Sequence, residues 1–496
     1  MSRSGIGITR RRLLEFGLGS GAVAAMPEAA LARLLRLSQE QEQHAHPSGT
    51  TLERTIVTGR QDGGRVRPDS GDLSRWEGVD DQNRNYYDVH YWHPGGTPHG
   101  VSAGADLPRS EFGFPVIPSL LDACRQQFKA TGLGLPWLTA YGNHDGLLQA
   151  YAAPSPLGDQ LAVGSRKILG MPPNFTVPQL LAALGGDPTL FNQLINGLTR
   201  RVTPDKNRRL LSRSETIEEY FKTTSKPVGH GFTHANRAHG TAYYTFLSGG
   251  VRCIVLDTVN PNGASNGSLD QTQLNWLTSL LDANSKVRLR SDGVREHAAG
   301  KDHLIVIFSH HTIATMNNAT TGTKAPGPRI LGDQLQQLLL QYPNVVGWVN
   351  GHTHVNNIIP HRRPSSWQAP GGFWEINTAA HIDFPEQARI VELVDNRDGT
   401  LSIFGTIIDS LAPLRWTGTG NPVQLAAPSR ELAANDWLER VPHLDAEGHD
   451  GRRGAVSDRN VELLVHAPFK LTATAAGKQP AAITRRASIR RTLVRS

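Results

Sequence analysis

Apolar positions along the chain fall into a polar and irregular opening followed by a long region in which short apolar runs alternate with amphipathic ones. Ile117 to Lys129 has helical spacing, and Leu135 to Tyr141 (LPWLTAY) is a short apolar run that suits a buried strand. Residues 146–240 carry three amphipathic stretches, Val177 to Leu184, Thr189 to Leu198 and Thr216 to Phe221. The Gly/His-rich segment Gly229 to Gly240 follows as a loop, in which His230, His234 and His239 read as solvated, and the whole stretch reads as a helical insertion. Ala242 to Leu247 and Val251 to Leu256 then predict a strand pair turned at Gly249-Gly250. Leu269 to Leu281 predicts a helix, His303 to Phe308 a strand, Ile330 to Leu340 a helix and Val345 to Val349 a strand. Further strands are expected at Phe373 to Asn377, Ala388 to Val394 and Leu401 to Ile408, with a turn at Asp398-Gly399. Short strands buried on both faces, separated by helices and closed by a hairpin, predict an α/β sandwich. Beyond about 415 the apolar periodicity weakens.

Composition adds less than it first promises. The 496 residues are 38% apolar, enough for a sizeable core, and the net charge of +7 invites a nucleic-acid or membrane-surface reading. The charge is not where such a reading needs it: residues 1–36 carry net +4 and residues 476–496 net +6, leaving the body slightly acidic. No specific nucleic-acid partner is therefore expected. No run of about 20 apolar residues occurs, so no stable membrane anchor is expected either.

The basic opening has an order of its own. Arg10-Arg11-Arg12 precede an apolar run from Leu13 to Met26 that is diluted by Gly17, Gly19 and Gly21, and Ala30-Leu31-Ala32 offers a small-x-small cleavage site. This resembles a bacterial twin-arginine export signal, and implies the export machinery as a partner and a periplasmic or extracellular destination. Cys124 and Cys253 lack CxxC spacing; an oxidising compartment permits one disulfide, and Cys253, inside an apolar run, also reads as a buried free thiol.

Chemistry collects in three clusters, each following an apolar run: Gly142-Asn143-His144-Asp145, Ser309-His310-His311 and Asn350-Gly351-His352-Thr353-His354. In α/β folds the loops after strands gather functional groups. Neutral imidazoles with amide or carboxylate oxygens suit Zn, Fe or Mn. In this order the clusters resemble the G-N-H-D, H and G-H-x-H blocks of the calcineurin-like metallophosphoesterases. The stretch Gly267 to Leu277 (GSLDQTQLNWL) is similar to the helix that precedes the fourth block of that superfamily.

The resemblance implies a metallophosphoesterase-type β-sandwich flanked by helices. It implies Asn143, His310 and His352 as ligands of one divalent ion and His354 as a ligand of a second. His144 would be the imidazole that assists the leaving group, with Asp145 orienting it. His311, His381 and Asp383 are candidates for substrate contact. The implied activity is metal-dependent hydrolysis of phosphate mono- or diesters, a small-molecule substrate class, by a metal-activated hydroxide. The implied layout is a signal peptide over 1–36, a linker over 37–58, the catalytic domain over 59–415 with 146–240 inserted, and a C-terminal extension over 416–496 ending in a basic tail.

One departure weakens the match. The family's first two blocks, D-x-H and the G-D that bridges both metals, should follow apolar strands before the Asn-His-Asp cluster, and no such strands are legible between Thr51 and Gly113. Gly71-Asp72 and Asp88-Val89-His90 carry suitable residues, in reversed order and without a preceding apolar run. The dinuclear centre is expected to be incomplete at its N-terminal strands, holding one ion where the family holds two. A binding or vestigial protein of the same fold is the competing expectation.

Overall fold

The computed structural model describes residues 53–56, 92, 94–97, 102–118, 120, 135–148, 150–168, 172, 175–197, 199–201, 204–222, 226–412, 422–435 and 451–471. The expected export leader, most of the helix expected over 117–129, Gly71-Asp72, Asp88 to His90, Cys124 and the basic tail lie outside these residues.

Two sheets are built from ten strands: β1 Glu53–Ile56, β2 Tyr244–Ser248, β3 Val251–Val255, β4 Leu304–Phe308, β5 Val345–Asn350, β6 Asn357–Arg362, β7 Gly372–Asn377, β8 Gln387–Asp395, β9 Thr400–Asp409 and β10 Val461–His466. The first sheet runs β6-β7-β5-β4-β3-β2, with β3, β4, β5 and β7 mutually parallel and an antiparallel strand at each edge. The second runs β1-β10-β9-β8 and is antiparallel throughout. Seven helices matter to the argument: α1 Asn143–Gly146, α2 Pro156–Val163, α3 Val177–Gly185, α4 Pro188–Ile195, α5 Arg213–Phe221, α6 Gln271–Ala283 and α7 Gly332–Leu340.

Strand alternation sorts the side chains of the parallel sheet into two cores. Ile305, Ile307, Val345, Trp348 and Phe373 face α6 and α7, where they meet Leu277, Leu281, Leu335 and Leu339. Leu304, Val346, Trp374 and Ile376 face the other way and pack on Leu401, Ile403, Val461, Leu463 and Val465 of the second sheet. The result is a layer of helices, a mixed sheet and an antiparallel sheet, which is the expected mixed α/β sandwich. Ile307 is fully buried in this core. Ile307→Val, which deletes one methylene, is expected to cost about 0.5–1.5 kcal/mol in urea unfolding with no change in slope.

The strands β2 to β5 and β7 to β9 and the helices α6 and α7 fall where the apolar pattern places them. Elsewhere the pattern misleads. Leu135 to Tyr141 forms no strand: its chain meets His230 through Thr139 N–H, 3.0 Å from the His230 carbonyl, and the Tyr244 hydroxyl donates to the Thr139 carbonyl at 2.7 Å. It borders β2 through single bonds instead of a ladder. Glu53–Ile56, at the end of the expected linker, is the edge strand β1, and Val461–His466 of the expected extension is β10, an inner strand of the second sheet. The sheet therefore draws on residues beyond 415. β6 carries no strand pattern in the sequence because Pro360 interrupts it, and it occupies an edge, where a missing N–H breaks no ladder.

The 146–240 stretch is helical, as expected, with a small core of its own around Ala183, Phe191 and Leu194. Its final segment is not a solvated loop: His230 is fully buried and stacked on Trp137 with ring centroids 3.5 Å apart, and His234–His239 is a short helix. Cys253 is buried in β3 as a free thiol. No helix among the described residues is long and apolar enough to cross a membrane.

Candidate metal centre

Parallel strands all end at the same edge of their sheet, so the loops after β4, β5 and β7 leave side by side. The loop after β4 carries His310 and His311, the loop after β5 carries His352 and His354, and the loop after β7 leads to Asp383. Gly351 N–H donates to the His310 carbonyl at 3.0 Å, which joins the first two loops directly. His352 Nδ1 lies 3.1 Å from His310 Nε2. Two imidazole nitrogens bound to one ion at about 2.0–2.1 Å stand about 3.0–3.4 Å apart, so this spacing fits a shared cation.

His352 and His354 both have left-handed backbones, with φ of 68° and 58°. Non-glycine residues hold that conformation only where their surroundings over-determine it, at about 1–3 kcal/mol each. Here the surroundings are a polar network: Asn377 Nδ2 donates to the Asn350 side chain at 2.9 Å and to the Gly351 carbonyl at 2.6 Å, and the Thr353 hydroxyl donates to Asn377 Oδ1 at 2.9 Å. Beneath it lies Glu375 of β7, buried, whose Oε1 accepts from Ile313 N–H at 2.9 Å and from Asn350 Nδ2 at 2.7 Å. Its Oε2 accepts from His361 Nε2 at 2.8 Å. One carboxylate thus holds both histidine loops.

His310, His311 and His352 each bring a ring nitrogen within 4.8 Å of the others and could together hold a metal ion. His311 is the least able of the three. Its Nε2 lies 2.7 Å from the Ser265 carbonyl, which can only accept, so Nε2 carries the proton. Its Nδ1 must then accept from the Thr258 hydroxyl, 2.7 Å away. Both nitrogens are in use, and the ring is fully buried, which leaves His311 no free atom for a substrate. A Cβ at Gly267 would come within 2.6 Å of that Nδ1, so glycine is required there.

Asn143, on the turn beside His310, has a free acceptor where His311 has none. It is buried, its Nδ2 donates to the Ala150 carbonyl at 3.3 Å, and its Oδ1 is without a hydrogen-bond partner among the described residues. Orphaned buried oxygens are rare and usually have an ion or a water as partner. Its neighbour Gly142 packs against His310, where a Cβ would lie 2.9 Å from the ring, so the Asn-His-Asp turn is pressed onto the histidine. His144 is exposed beside this group. Asp145 Oδ2 accepts from Gly142 N–H at 2.9 Å and closes the turn around α1.

His354 lies apart from the pair, its Nδ1 2.5 Å from Asp383 Oδ2, and Arg452 Nη1 meets that same oxygen at 2.5 Å. Burial raises the Asp383 carboxyl, but the hydrogen bond from His354 and the charge of Arg452 outweigh it and the net direction is down. His381 is exposed, and among the described residues no hydrogen bond joins it to the histidine group. Arg452, Glu375, Asn377 and Thr258 gave no motif signal. Of these only Glu375 was discoverable, as an ionisable residue inside the apolar run GFWEIN.

Burial, and then the charges of neighbouring imidazoles, push His310 down to about 3 and drive His352 well below the ordinary value. Burial also lowers His311 to about 4. All three rings are neutral at physiological pH, the form that ligates metals. Depressed folded-state values mean that the unfolded chain binds these protons first. The metal-free protein is therefore expected to keep its full stability above about pH 6.5 and to lose it as pH falls toward 4 and then 3. Each ring contributes a slope of at most about 1.4 kcal/mol per pH unit, readable from urea midpoints in chelator. A midpoint flat between pH 6.5 and 4 would contradict these assignments.

No protein-family profile matches the chain, and no curated protein matches it.

Proposed function

We propose that the chain is a metal-dependent hydrolase of phosphate esters with a calcineurin-like metallophosphoesterase fold, exported by the twin-arginine route. The observation that carries this reading is the 3.1 Å pairing of His310 Nε2 and His352 Nδ1 at the mouth of the parallel sheet, beside an Asn143 whose buried Oδ1 lacks a partner. In this reading Asn143, His310 and His352 hold one divalent ion, Mn, Fe or Zn, and His354 reaches toward a second. When bound, such an ion supplies Lewis acidity to a phosphoryl oxygen and lowers the pKa of a water to near neutrality. The chain's own residues do the rest. Neutral His310 and His352 keep lone pairs available, Glu375 and Asn377 keep them at fixed spacing, and exposed His144 passes a proton from its ring to the departing alkoxide.

A competing reading, a metal-binding protein without turnover, has one observation in its favour. Among the described residues no carboxylate joins the His310–His352 group, so the positive charge of an ion there is poorly opposed. Purified protein, stripped with chelator and reloaded with Mn or Zn, is to be assayed on para-nitrophenyl phosphate and its diester, with metal content measured in parallel. Metal-dependent turnover that is lost in His144→Ala, while the metal stays bound, is the expected result. Stoichiometric metal with no turnover on either ester would favour the binding protein, and a folded chain that takes up no metal would overturn both.

A further inference from the structure

Averaged over its body the chain is slightly acidic, but one stretch runs against that average. Residues 156–213, from α2 to the first residue of α5, carry eight Lys and Arg and three Asp, a net charge of +5. Within it a short antiparallel ladder sets Arg166 opposite Arg201 and Lys167 opposite Arg200. Directly opposed residues on such a ladder stand about 4.5–5.5 Å apart at Cβ, and like charges there are destabilising. Arg166 and Arg201 are exposed, as is Lys206 on the turn that follows. Among the described residues none of these three meets a carboxylate; Arg166 Nη1 donates to the Ile195 carbonyl at 3.0 Å, which leaves its charge unopposed. The acids of α5 are held by other cations, Glu215 by Arg209 at 2.8 Å, Glu218 by Arg237 at 2.7 Å and Glu219 by Lys222 at 2.6 Å. The stretch ends at Arg213, whose Nε lies 3.1 Å from Asp257 Oδ2, and Thr258, next in the chain, bonds His311. The cationic segment therefore leads from the ladder to the loops of the candidate metal centre.

Opposed like charges break a local rule of sheet pairing, and such breaks collect at functional sites, where a ligand supplies what the fold does not. The ligand here is an anion with several charges spaced along it. No large apolar side chain described between residues 156 and 222 is exposed. The surface thus lacks the apolar anchors of a segment that lies in a membrane interface, and it also lacks a ring on which bases could stack. Charge alone remains, and charge alone suits a phosphodiester backbone. We propose that Arg166, Arg201 and Lys206 form a docking surface for a nucleic-acid strand, held by its phosphates without regard to base sequence. Binding of this kind needs no metal, so it is independent of the function proposed above.

The test uses the full chain in chelator, so that metal and turnover play no part. Fluorescence anisotropy with labelled single strands of about 20 nucleotides, one of oligothymidine and one of mixed sequence, is expected to show equal affinity for both. Each phosphate neutralised on a single strand adds about 0.7 to the slope of log K against log salt. Arg166→Gln, Arg201→Gln and Lys206→Gln together are therefore expected to make that slope shallower by about 2 and to weaken binding at about 50 mM salt by roughly a hundredfold or more. Arg166→Lys with Arg201→Lys keeps the charge and is expected to keep the slope, which a merely structural role of the guanidinium groups would not. The basic tail is a second source of charge, so the triple variant is also compared in a chain ending at residue 475, where the same loss of slope is expected. Binding that disappears with the tail while the triple substitution changes nothing would overturn the inference. So would a wild type that binds neither strand, or a charge-keeping variant that behaves like the triple one. Vesicles of anionic phospholipid that bind the wild type more tightly than either strand, and release it in the triple variant, would replace nucleic acid with a lipid surface and overturn it likewise. Urea midpoints of the triple variant, expected to match the wild type because relieved repulsion offsets the lost Ile195 bond, separate loss of charge from loss of the fold.

Discussion

His352→Ala is expected to remove tight metal binding and to lower kcat/KM for an aryl phosphate by about a thousandfold or more. The magnitude follows from what a bound cation supplies. Lewis-acid stabilisation of a phosphoryl transition state is worth several kcal/mol, and about 1.4 kcal/mol is a factor of ten in rate. His352 should carry this loss more heavily than His311, because its Nδ1 faces another imidazole nitrogen at 3.1 Å whereas both nitrogens of His311 are bonded within the protein. The paired measurements are metal content after dialysis and initial rates over a range of added Mn. The fold should survive the change, since His352 lies in the loop after β5 and outside both apolar cores of the parallel sheet. Retention of stoichiometric metal and wild-type rates in His352→Ala would move the ion to another set of residues.

Glu375→Ala is expected to be the most destabilising single substitution near the site, at about 3–5 kcal/mol in chemical denaturation. The deletion leaves three donors without their acceptor: Ile313 N–H, Asn350 Nδ2 and His361 Nε2–H. Each buried orphan costs about 1–3 kcal/mol, partly relieved by entering water. His361 cannot simply turn its proton around, because the Gln336 amide donates to its Nδ1 at 2.9 Å. Glu375→Gln should therefore be milder but not silent, about 1–3 kcal/mol, since its amide nitrogen would face the His361 N–H. Because Glu375 spans the loops after β4 and β5, metal affinity should fall in both variants even at temperatures where they remain folded. A Glu375→Ala protein within about 1 kcal/mol of wild type would show that the network is slack and that other contacts hold the two loops.

Much of the architecture was legible because it obeys short-range rules. Runs such as LIVIF and VVGWVN are too apolar for a surface and too short for a helix that spans the core, and the Leu spacing of α6 and α7 is that of one buried face. The rule failed where apolarity had another cause. In LPWLTAY, Tyr141 packs with Phe232 and Tyr244 while Leu135 and Leu138 are exposed, so its apolarity marks no ladder. VELLVH is a lone six-residue alternation, distant in sequence from every other strand, and nothing local identifies its partners.

The candidate site divides along the same line. The sequence by itself singled out the candidate residues, because Asn143, His310, His352 and His354 sit in short clusters after apolar runs, and local order is what a sequence records. It also separated the export-like leader and the basic tail from a near-neutral body. Only the tertiary structure decided how those residues divide. Both His311 nitrogens are spent on Thr258 and Ser265, 53 and 46 residues away, and Asp145 caps its own turn. Glu375 binds the two loops, and Arg452, 69 residues beyond Asp383, completes the pairing at His354. Hydrogen-bond partners are fixed by distance in space at a few ångströms, and no pattern along the chain encodes which distant oxygen a given nitrogen will meet.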